Sequence, residues 1–179
     1  MKGIVFVEFL KMVDDQLGME VTEEIVEKSE LPSKGHYTSV GTYDDAEMVA
    51  LVTQLHLKTN IPVATLLKSF GSFLFKSFAV RYKDMLGNIN DSFDMLRKIE
   101  NYIHVEVKKI YKEANLPTFG YEDVSDKKLK LIYTSERKMP DLAEGLIEAT
   151  MKHFGETFTI TREVIKEDNS CVAFYIERQ

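Results

Sequence analysis

The stretch KLKLIYTSERK, residues 128–138, changes from apolar to polar along one side of a predicted strand. Side chains two residues apart on a strand point the same way, so alternate positions here form a single stripe. At about 3.3 Å per residue, the polar end of this stripe spreads three hydrogen-bond donors over roughly 13 Å. A ligand held there would be anionic, extended and attached to an apolar body. The stripe consists of Leu129, Leu131, Tyr133, Ser135 and Arg137.

The composition is that of an ordinary globular protein and argues against several function classes. The chain has 179 residues, of which 44% are hydrophobic and 29% charged. Its net charge of −6 argues against nucleic-acid binding, which needs a basic face. Charged residues interrupt the opening MKGIVFVEFLKMVDDQ, and no segment approaches the length of an apolar membrane span. We therefore expect a cytoplasmic protein that binds neither nucleic acid nor membrane.

Hydrophobic periodicity predicts helices in the first part of the chain and strands after Pro117. Two hairpins are expected, one within residues 121–137 and one from TFTITREVI and CVAFYIER. We predict a single domain with an α+β fold. Its helical half, about residues 1–60, packs on an antiparallel sheet with helices, about residues 61–179. Helices are predicted at 4–17, 22–29, 44–59, 62–69, 70–82, 92–114 and 140–153, with a loop at 31–43.

Two of these helices have unusual apolar faces. The segment 70–82 carries four phenylalanines on or near one side. The long helix 92–114, which Asn90 or Asp91 would cap, has a continuous apolar stripe. That stripe is formed by Phe93, Leu96, Ile99, Ile103, Val107 and Ile110.

His104 differs from the other three histidines because it lies inside the long helix, at the edge of its apolar stripe. A neutral imidazole could ligate a heme iron. The donors of residues 133–137 could hold the two propionates, with arginine as the natural fork for a carboxylate. The phenylalanine-rich helix could line the dry pocket. Two simpler interpretations stay open: a half-buried, hydrogen-bonded histidine, and an exposed strand end with ordinary polar residues.

The order and spacing of His104, Pro117 in LPTF, and the Tyr133-x-Ser135-x-Arg137 motif resemble the heme-nitric oxide/oxygen binding (H-NOX) family. This family includes bacterial stand-alone sensors and the heme domain of soluble guanylate cyclase. The resemblance covers the whole chain, including the opening MKGIVFVEFL and the segment from ERKM to LAEGLIE after the motif.

The resemblance implies a heme b held between the two halves of the molecule and a role for each matching residue. His104 would be the proximal iron ligand, and the Tyr-Ser-Arg motif would bind the propionates. Pro117 would press on one pyrrole ring and help to distort the macrocycle. The wall on the distal side would be formed by Val5, Phe9, Leu74, Phe78, Leu142 and Leu146.

The resemblance also bears on the choice of gas. Oxygen-binding members carry a distal tyrosine that donates a hydrogen bond to bound oxygen, and Leu142 stands at that position here. Leu74 stands at a supporting position that is polar in those members. A donor in a dry site is worth about 1–3 kcal/mol to a ligand that takes on negative charge. An apolar pocket is therefore expected to bind nitric oxide, and carbon monoxide more weakly, and to exclude oxygen.

The implied mechanism is a switch and not catalysis. Nitric oxide would weaken the bond between iron and His104, and the helix 92–114 would then shift. By resemblance, the separate protein that reads this change is a histidine kinase or a cyclic-di-nucleotide cyclase or phosphodiesterase. Cys171 is the only cysteine, so the closed zinc site of some relatives is not expected.

Three alternative functions remain open from the residues alone. The first is an oxygen or redox sensor on the same heme scaffold. The second is an enzyme that uses His104 as a general base, with Glu100 and Lys108 one turn to either side. The third is a heme-free interaction module with a phenylalanine-rich groove.

Overall fold

The computed structural model describes residues 1–179 and confirms the α+β fold class. Three helices, α1 (Gly3–Leu17), α2 (Met19–Lys28) and α3 (Asp45–Thr59), form the N-terminal half. Gly18, with φ of 92°, separates α1 from α2, so α2 begins three residues before the predicted N-cap at Thr22. α3 begins as predicted, because the Asp44 carboxylate accepts the N–H of Ala46.

The next helix, α4 (Val63–Arg81), is continuous, whereas the sequence predicted separate helices at 62–69 and 70–82. Gly71 lies at the junction of the two predicted segments but does not end the helix, because it packs against the backbone of the last helix. α4 is long and apolar enough to cross a membrane by length and composition, although a core helix passes the same test. The expectation that no segment approaches a membrane span was therefore too strong. A short helix, α5 (Lys83–Leu86), follows.

α4 crosses the last helix, α8 (Pro140–His153), at glycine contacts that bring the two backbones together. A methyl group at Gly71 would overlap the carbonyl oxygen of Leu142. A methyl group at Gly145 would likewise overlap the carbonyl oxygen of Lys68. Only glycine permits this approach, so α4 and α8 form a closely packed pair.

The helix predicted at 92–114 is divided into three pieces, α6 (Ser92–Arg97), a π-helical turn (Ile99–Ile103) and α7 (His104–Ile110). Asp91 caps α6 as predicted, accepting the N–H of Asp94 at 2.8 Å. In the π-helical turn the N–H of Ile103 donates to the carbonyl of Lys98, five residues earlier, at 3.0 Å. The extra residue changes the phase of the helix. Ile110 is consequently 50% exposed, whereas Tyr111 is buried.

The four strands form one antiparallel sheet with the order β1-β2-β4-β3. The two predicted hairpins are confirmed, although β1 begins at residue 118 and not at 121. The predicted stripe is confirmed where it is apolar, since Leu129, Leu131 and Tyr133 share the buried face. The strands are β1 (Thr118–Ser125), β2 (Lys128–Thr134), β3 (Phe158–Val164) and β4 (Cys171–Arg178).

Two apolar clusters form the core, and α8 contributes to both. The first lies among α1, α3 and α4, and Leu142 and Leu146 pack against it. The second lies between the sheet and the helices α6 and α8, and it contains Ala143 and Ile147. Two adjacent faces of α8, about 100° apart, therefore contact the two clusters. The loop before α8 carries Ser135 and Arg137 from the polar end of the stripe.

Candidate functional site

His104 is the first residue of α7 and follows the π-helical turn directly. Its side chain is 13% exposed. The imidazole Nδ1 lies 3.0 Å from Oε1 of Glu100, one turn earlier. The same carboxylate oxygen accepts the backbone N–H of Phe119 at 2.8 Å. Glu100 therefore fixes the ring of His104 and ties it to the first residues of β1.

The surroundings of His104 favour a neutral imidazole. Burial lowers the pKa of His104 because it disfavours the charged ring, while Glu100 acts in the opposite direction more weakly. A carboxylate can only accept, so Nδ1 carries the proton of the neutral ring. The lone pair of Nε2 is then available to a metal.

The hydroxyl groups of Tyr133 and Ser135 are both buried and both accept a backbone hydrogen bond. The N–H of Met139 donates to the Tyr133 hydroxyl at 3.1 Å. The N–H of Arg137 donates to the Ser135 hydroxyl at 3.2 Å. Each hydroxyl therefore keeps its own proton for another acceptor. The end of β2, with Tyr133, and the loop after it, with Ser135, thus present two oriented hydroxyl donors.

Arg137 adds a guanidinium whose side chain is only 11% exposed. Its Nη2 donates to the carbonyl of Asn115 at 2.6 Å, and its Nε lies 3.0 Å from Oδ2 of Asp45. The other oxygen of Asp45 lies 2.7 Å from the ammonium of Met1. Burial raises the pKa of Asp45, but hydrogen bonds from these two cations outweigh burial and hold the pKa below its ordinary value. Arg137 therefore links the polar stripe to α3 and to the chain beyond α7.

A run of three rings connects the imidazole to the polar stripe. The Phe119 ring centroid lies 6.0 Å from that of His104 and 5.7 Å from that of Tyr133. Phe119 and Tyr133 are opposite each other in the β1–β2 ladder. The structure thus brings His104 and the Tyr133 motif into one region, with a single aromatic ring between them.

The six residues predicted for the distal wall all belong to, or pack against, the first apolar cluster. Phe9 and Leu74 are buried in it. Val5 and Phe78 also pack on a small third cluster, whose members include Tyr111, the residue directly after α7. The other two are Leu142 and Leu146, on the side of α8 that faces α4. The structure therefore gathers these side chains from three helices.

Sequence reasoning missed some of the contacts at this site. Glu100 was noted only as a neighbour of His104, although its spacing of four residues is the signal for such a pair. Asp45 and Asn115 are distant in sequence from Arg137, and no local pattern pointed to either. Pro117 lies half-buried two residues beyond Asn115, and its predicted pressure on a pyrrole ring stays a prediction.

The donor set suits the heme that the resemblance implies. Two buried hydroxyls with free protons and a largely buried guanidinium are the groups that carboxylates bind most strongly. A neutral imidazole with a free Nε2 is the usual heme ligand of protein sensors and globins. The Arg137 guanidinium also contacts Asp45 and the Asn115 carbonyl, so it would hold a carboxylate through the donors that these two contacts leave.

Comparison with known proteins yields one family and several similar structures. The sequence matches the Haem-NO-binding family over residues 2–162. The unliganded Fe(II) H-NOX protein from K. algicida is 41% identical, with a TM-score of 0.95, and the match covers 100% of this chain and 97% of that one. The S. oneidensis H-NOX protein in its Fe(II)NO state is 30% identical, with a TM-score of 0.92, covering 100% and 99%.

A third similar structure is the IWP-051-bound H-NOX from S. woodyi in its Fe(II)CO state. It is 37% identical, with a TM-score of 0.85, and the match covers 100% of this chain and 95% of that one. No curated protein matches the chain.

Proposed function

Since the chain belongs to the H-NOX family of heme-binding gas sensor domains, we propose that it is a nitric oxide sensor that also binds carbon monoxide and excludes oxygen. H-NOX domains are sensors, not catalysts, and we assign no enzymatic activity to this single domain. The observation that carries the choice of gas is the apolar setting of Leu74 and Leu142. Neither leucine side chain can donate a hydrogen bond to a polarised ligand.

In this proposal each residue of the candidate site has a role in holding the heme. His104 would hold the iron of a heme b through Nε2, while Glu100 accepts a hydrogen bond from its Nδ1–H. The hydroxyls of Tyr133 and Ser135 would donate hydrogen bonds to the propionates, and the guanidinium of Arg137 would balance their charge. A bound heme would supply an iron with a coordination position for a diatomic gas. The distal side chains exclude water from that position.

The π-helical turn and α7 together form the proximal segment, residues 99–110, and the packing of this segment supports a conformational signal. Neither the π-helical turn nor α7 contains a buried residue, so few contacts hold this segment in place. Loss of the bond from His104 would free the segment to move relative to α4 and β1. A separate cytoplasmic protein, a histidine kinase or a cyclic-di-nucleotide cyclase or phosphodiesterase, would read that change.

Absorption spectra of the reduced protein test the proposal directly. We expect a five-coordinate ferrous heme that binds nitric oxide and carbon monoxide and that shows no stable oxygen complex in air. A protein that emerges colourless and does not take up hemin would contradict the heme assignment. A stable complex in air would instead identify an oxygen sensor.

Replacement of His104 by glycine tests the ligand assignment. The variant should lose the bond between protein and iron and keep a space that added imidazole refills, restoring the ferrous spectrum. His36→Gly is the control, because His36 is exposed in the loop before α3 and its loss should leave the spectrum unchanged. An unchanged five-coordinate ferrous spectrum in His104→Gly without imidazole would reject the assignment.

A further inference from the structure

We infer that Glu100 is a positioning residue that sets the strength of the iron–histidine bond, and so decides how readily nitric oxide releases His104. The inference rests on the proposed function, since it assumes that His104 ligates a heme. Glu100 contacts His104, the proposed iron ligand, and would not contact the iron itself.

The geometry of Glu100 is that of a carboxylate–histidine pair. One oxygen, Oε1, faces two donors, Nδ1 of His104 at 3.0 Å and the N–H of Phe119 at 2.8 Å. The Phe119 hydrogen bond holds that oxygen in place, so the carboxylate is oriented before any ligand arrives. The His104 side chain is 13% exposed and that of Glu100 is 35% exposed, so the imidazole end of this hydrogen bond is shielded from water while the carboxylate is partly solvated.

An anionic acceptor on Nδ1–H increases the electron density at Nε2. Partners of this kind raise the basicity of a metal-bound histidine and fix its ring orientation. The iron–histidine bond should therefore be stronger than with a neutral acceptor. A stronger bond resists the weakening that nitric oxide causes in the position opposite to it. Glu100 would thus oppose release of the proximal segment and set the threshold for signalling.

The pair also has a structural consequence within the sheet. Phe119 lies opposite Tyr133, whose hydroxyl belongs to the polar stripe. Glu100 contacts both His104 and the backbone N–H of Phe119. Motion of α7 would therefore strain the first residues of β1 unless one of these two hydrogen bonds breaks. Glu100 is thus the point where the proximal segment is joined to the strand pair that carries the propionate donors.

Glu100→Gln is the informative variant, because an amide oxygen can still accept both hydrogen bonds while the charge is removed. We expect a lower iron–histidine stretching frequency in the resonance Raman spectrum of the ferrous protein. We also expect a higher reduction potential, because a less electron-rich ligand favours the ferrous state. In the nitric oxide complex, the ratio of five-coordinate to six-coordinate iron should rise about tenfold, the lower range for loss of such a partner.

Glu106→Gln is the matched control. Glu106 lies in α7, two residues after His104, and its replacement by glutamine removes the same charge. Its carboxylate pairs with Lys109 and not with His104. The stretching frequency should be unchanged in this variant. If Glu100→Gln keeps its heme and matches both the wild type and Glu106→Gln in frequency, potential and coordination, the inference is overturned. That result differs from failure of the proposed function, in which the wild-type protein itself would lack the heme or the His104 ligand.

Discussion

At the scale of single residues, the proposed choice of gas rests on the lack of a hydroxyl at Leu74 and Leu142. Leu142→Tyr would introduce one on the side of α8 that packs against α4. We expect oxygen binding to strengthen by about 1–3 kcal/mol, the range for such a hydrogen bond in a dry site. The measurement is the rate of oxygen dissociation from the ferrous protein after rapid mixing.

Leu142→Phe is the control, because it adds a ring without the hydroxyl. If the phenylalanine variant gains as much oxygen affinity as the tyrosine variant, pocket shape and not a donor controls the gas. The hydroxyl could also require a polar partner, so the double variant Leu142→Tyr with Leu74→Asn extends the series.

Tyr133 has two tasks that a phenylalanine cannot perform. Its hydroxyl accepts the N–H of Met139 and keeps a proton for the predicted propionate. In Tyr133→Phe the buried N–H loses its acceptor, which costs about 1–3 kcal/mol of folding free energy. We expect a lower Tm and faster transfer of heme to an acceptor globin. Tyr121→Phe, at a site 47% exposed on β1, should change neither quantity.

The residue scale is also where sequence reasoning succeeded most. The alternation of side chains along β2 predicted that Tyr133 shares a face with two buried leucines. This prediction succeeded because the alternation depends only on local sequence. The guanidinium of Arg137 was predicted as a donor, but its contacts with Asp45 and Asn115 were not. Those contacts arise from the packing of three separate elements, which no local pattern records.

At the scale of elements, the crossing of α4 and α8 depends on glycine. In Gly145→Ala the new methyl group would meet the Lys68 carbonyl, which belongs to backbone and cannot rotate away. We expect a loss of about 1–3 kcal/mol of unfolding free energy, typical of overpacking, with a shifted distal wall. Denaturant unfolding measures the first effect and carbon monoxide rebinding the second.

Gly120→Ala serves as the comparison, since its methyl group would meet only the Ile132 side chain, at 3.9 Å. Equal stability losses in the two variants would contradict the importance of the crossing.

Helix prediction was right about the existence of most elements and wrong about continuity. The break that was expected near residue 70 is missing although Gly71 is a poor helix former, because Gly71 packs against the backbone of α8. The continuous helix that was expected over 92–114 is interrupted, although the segment contains neither proline nor glycine. Tertiary contacts decide the second case, since Glu100 must reach the backbone of Phe119 as well as His104.

At the scale of the whole molecule, the last strand is fastened to the start of α6. The Arg178 guanidinium lies 2.8 Å from Oδ1 of Asp91 and 3.8 Å from the centroid of the Phe93 ring. Burial raises the pKa of Asp91, but the Asp94 N–H and Arg178 outweigh burial, so the pKa lies below its ordinary value. The carboxylate form thus stabilises the fold.

The sign of the pH dependence follows from this lowered pKa. The contribution of Asp91 is complete above its unfolded value of about 3.9 and is lost as the pH falls through the lower folded value. Asp91→Asn should therefore reduce Tm near pH 7 and have a smaller effect near pH 3. Asp126→Asn, in the turn between β1 and β2, is a control that should shift Tm little at either pH. A deficit in Asp91→Asn that does not change with pH would contradict the charge argument.

The arrangement of helices followed by strands could be predicted for the whole molecule, because it depends on periods of hydrophobicity. The contribution of α8 to both apolar clusters could not be predicted, since it depends on which face of this helix each half of the molecule covers.

The π-helical turn before His104 gives that position an unusual sensitivity to chain length. An α-helix advances by about 100° per residue, so removal of one residue from the turn would turn the imidazole by roughly that angle. A deletion that most helices tolerate at their ends would here aim the ring away from the sheet. Substitutions between Ile99 and Ile103 should be far better tolerated than single-residue insertions or deletions, and the length of this turn is therefore part of the sensor's geometry.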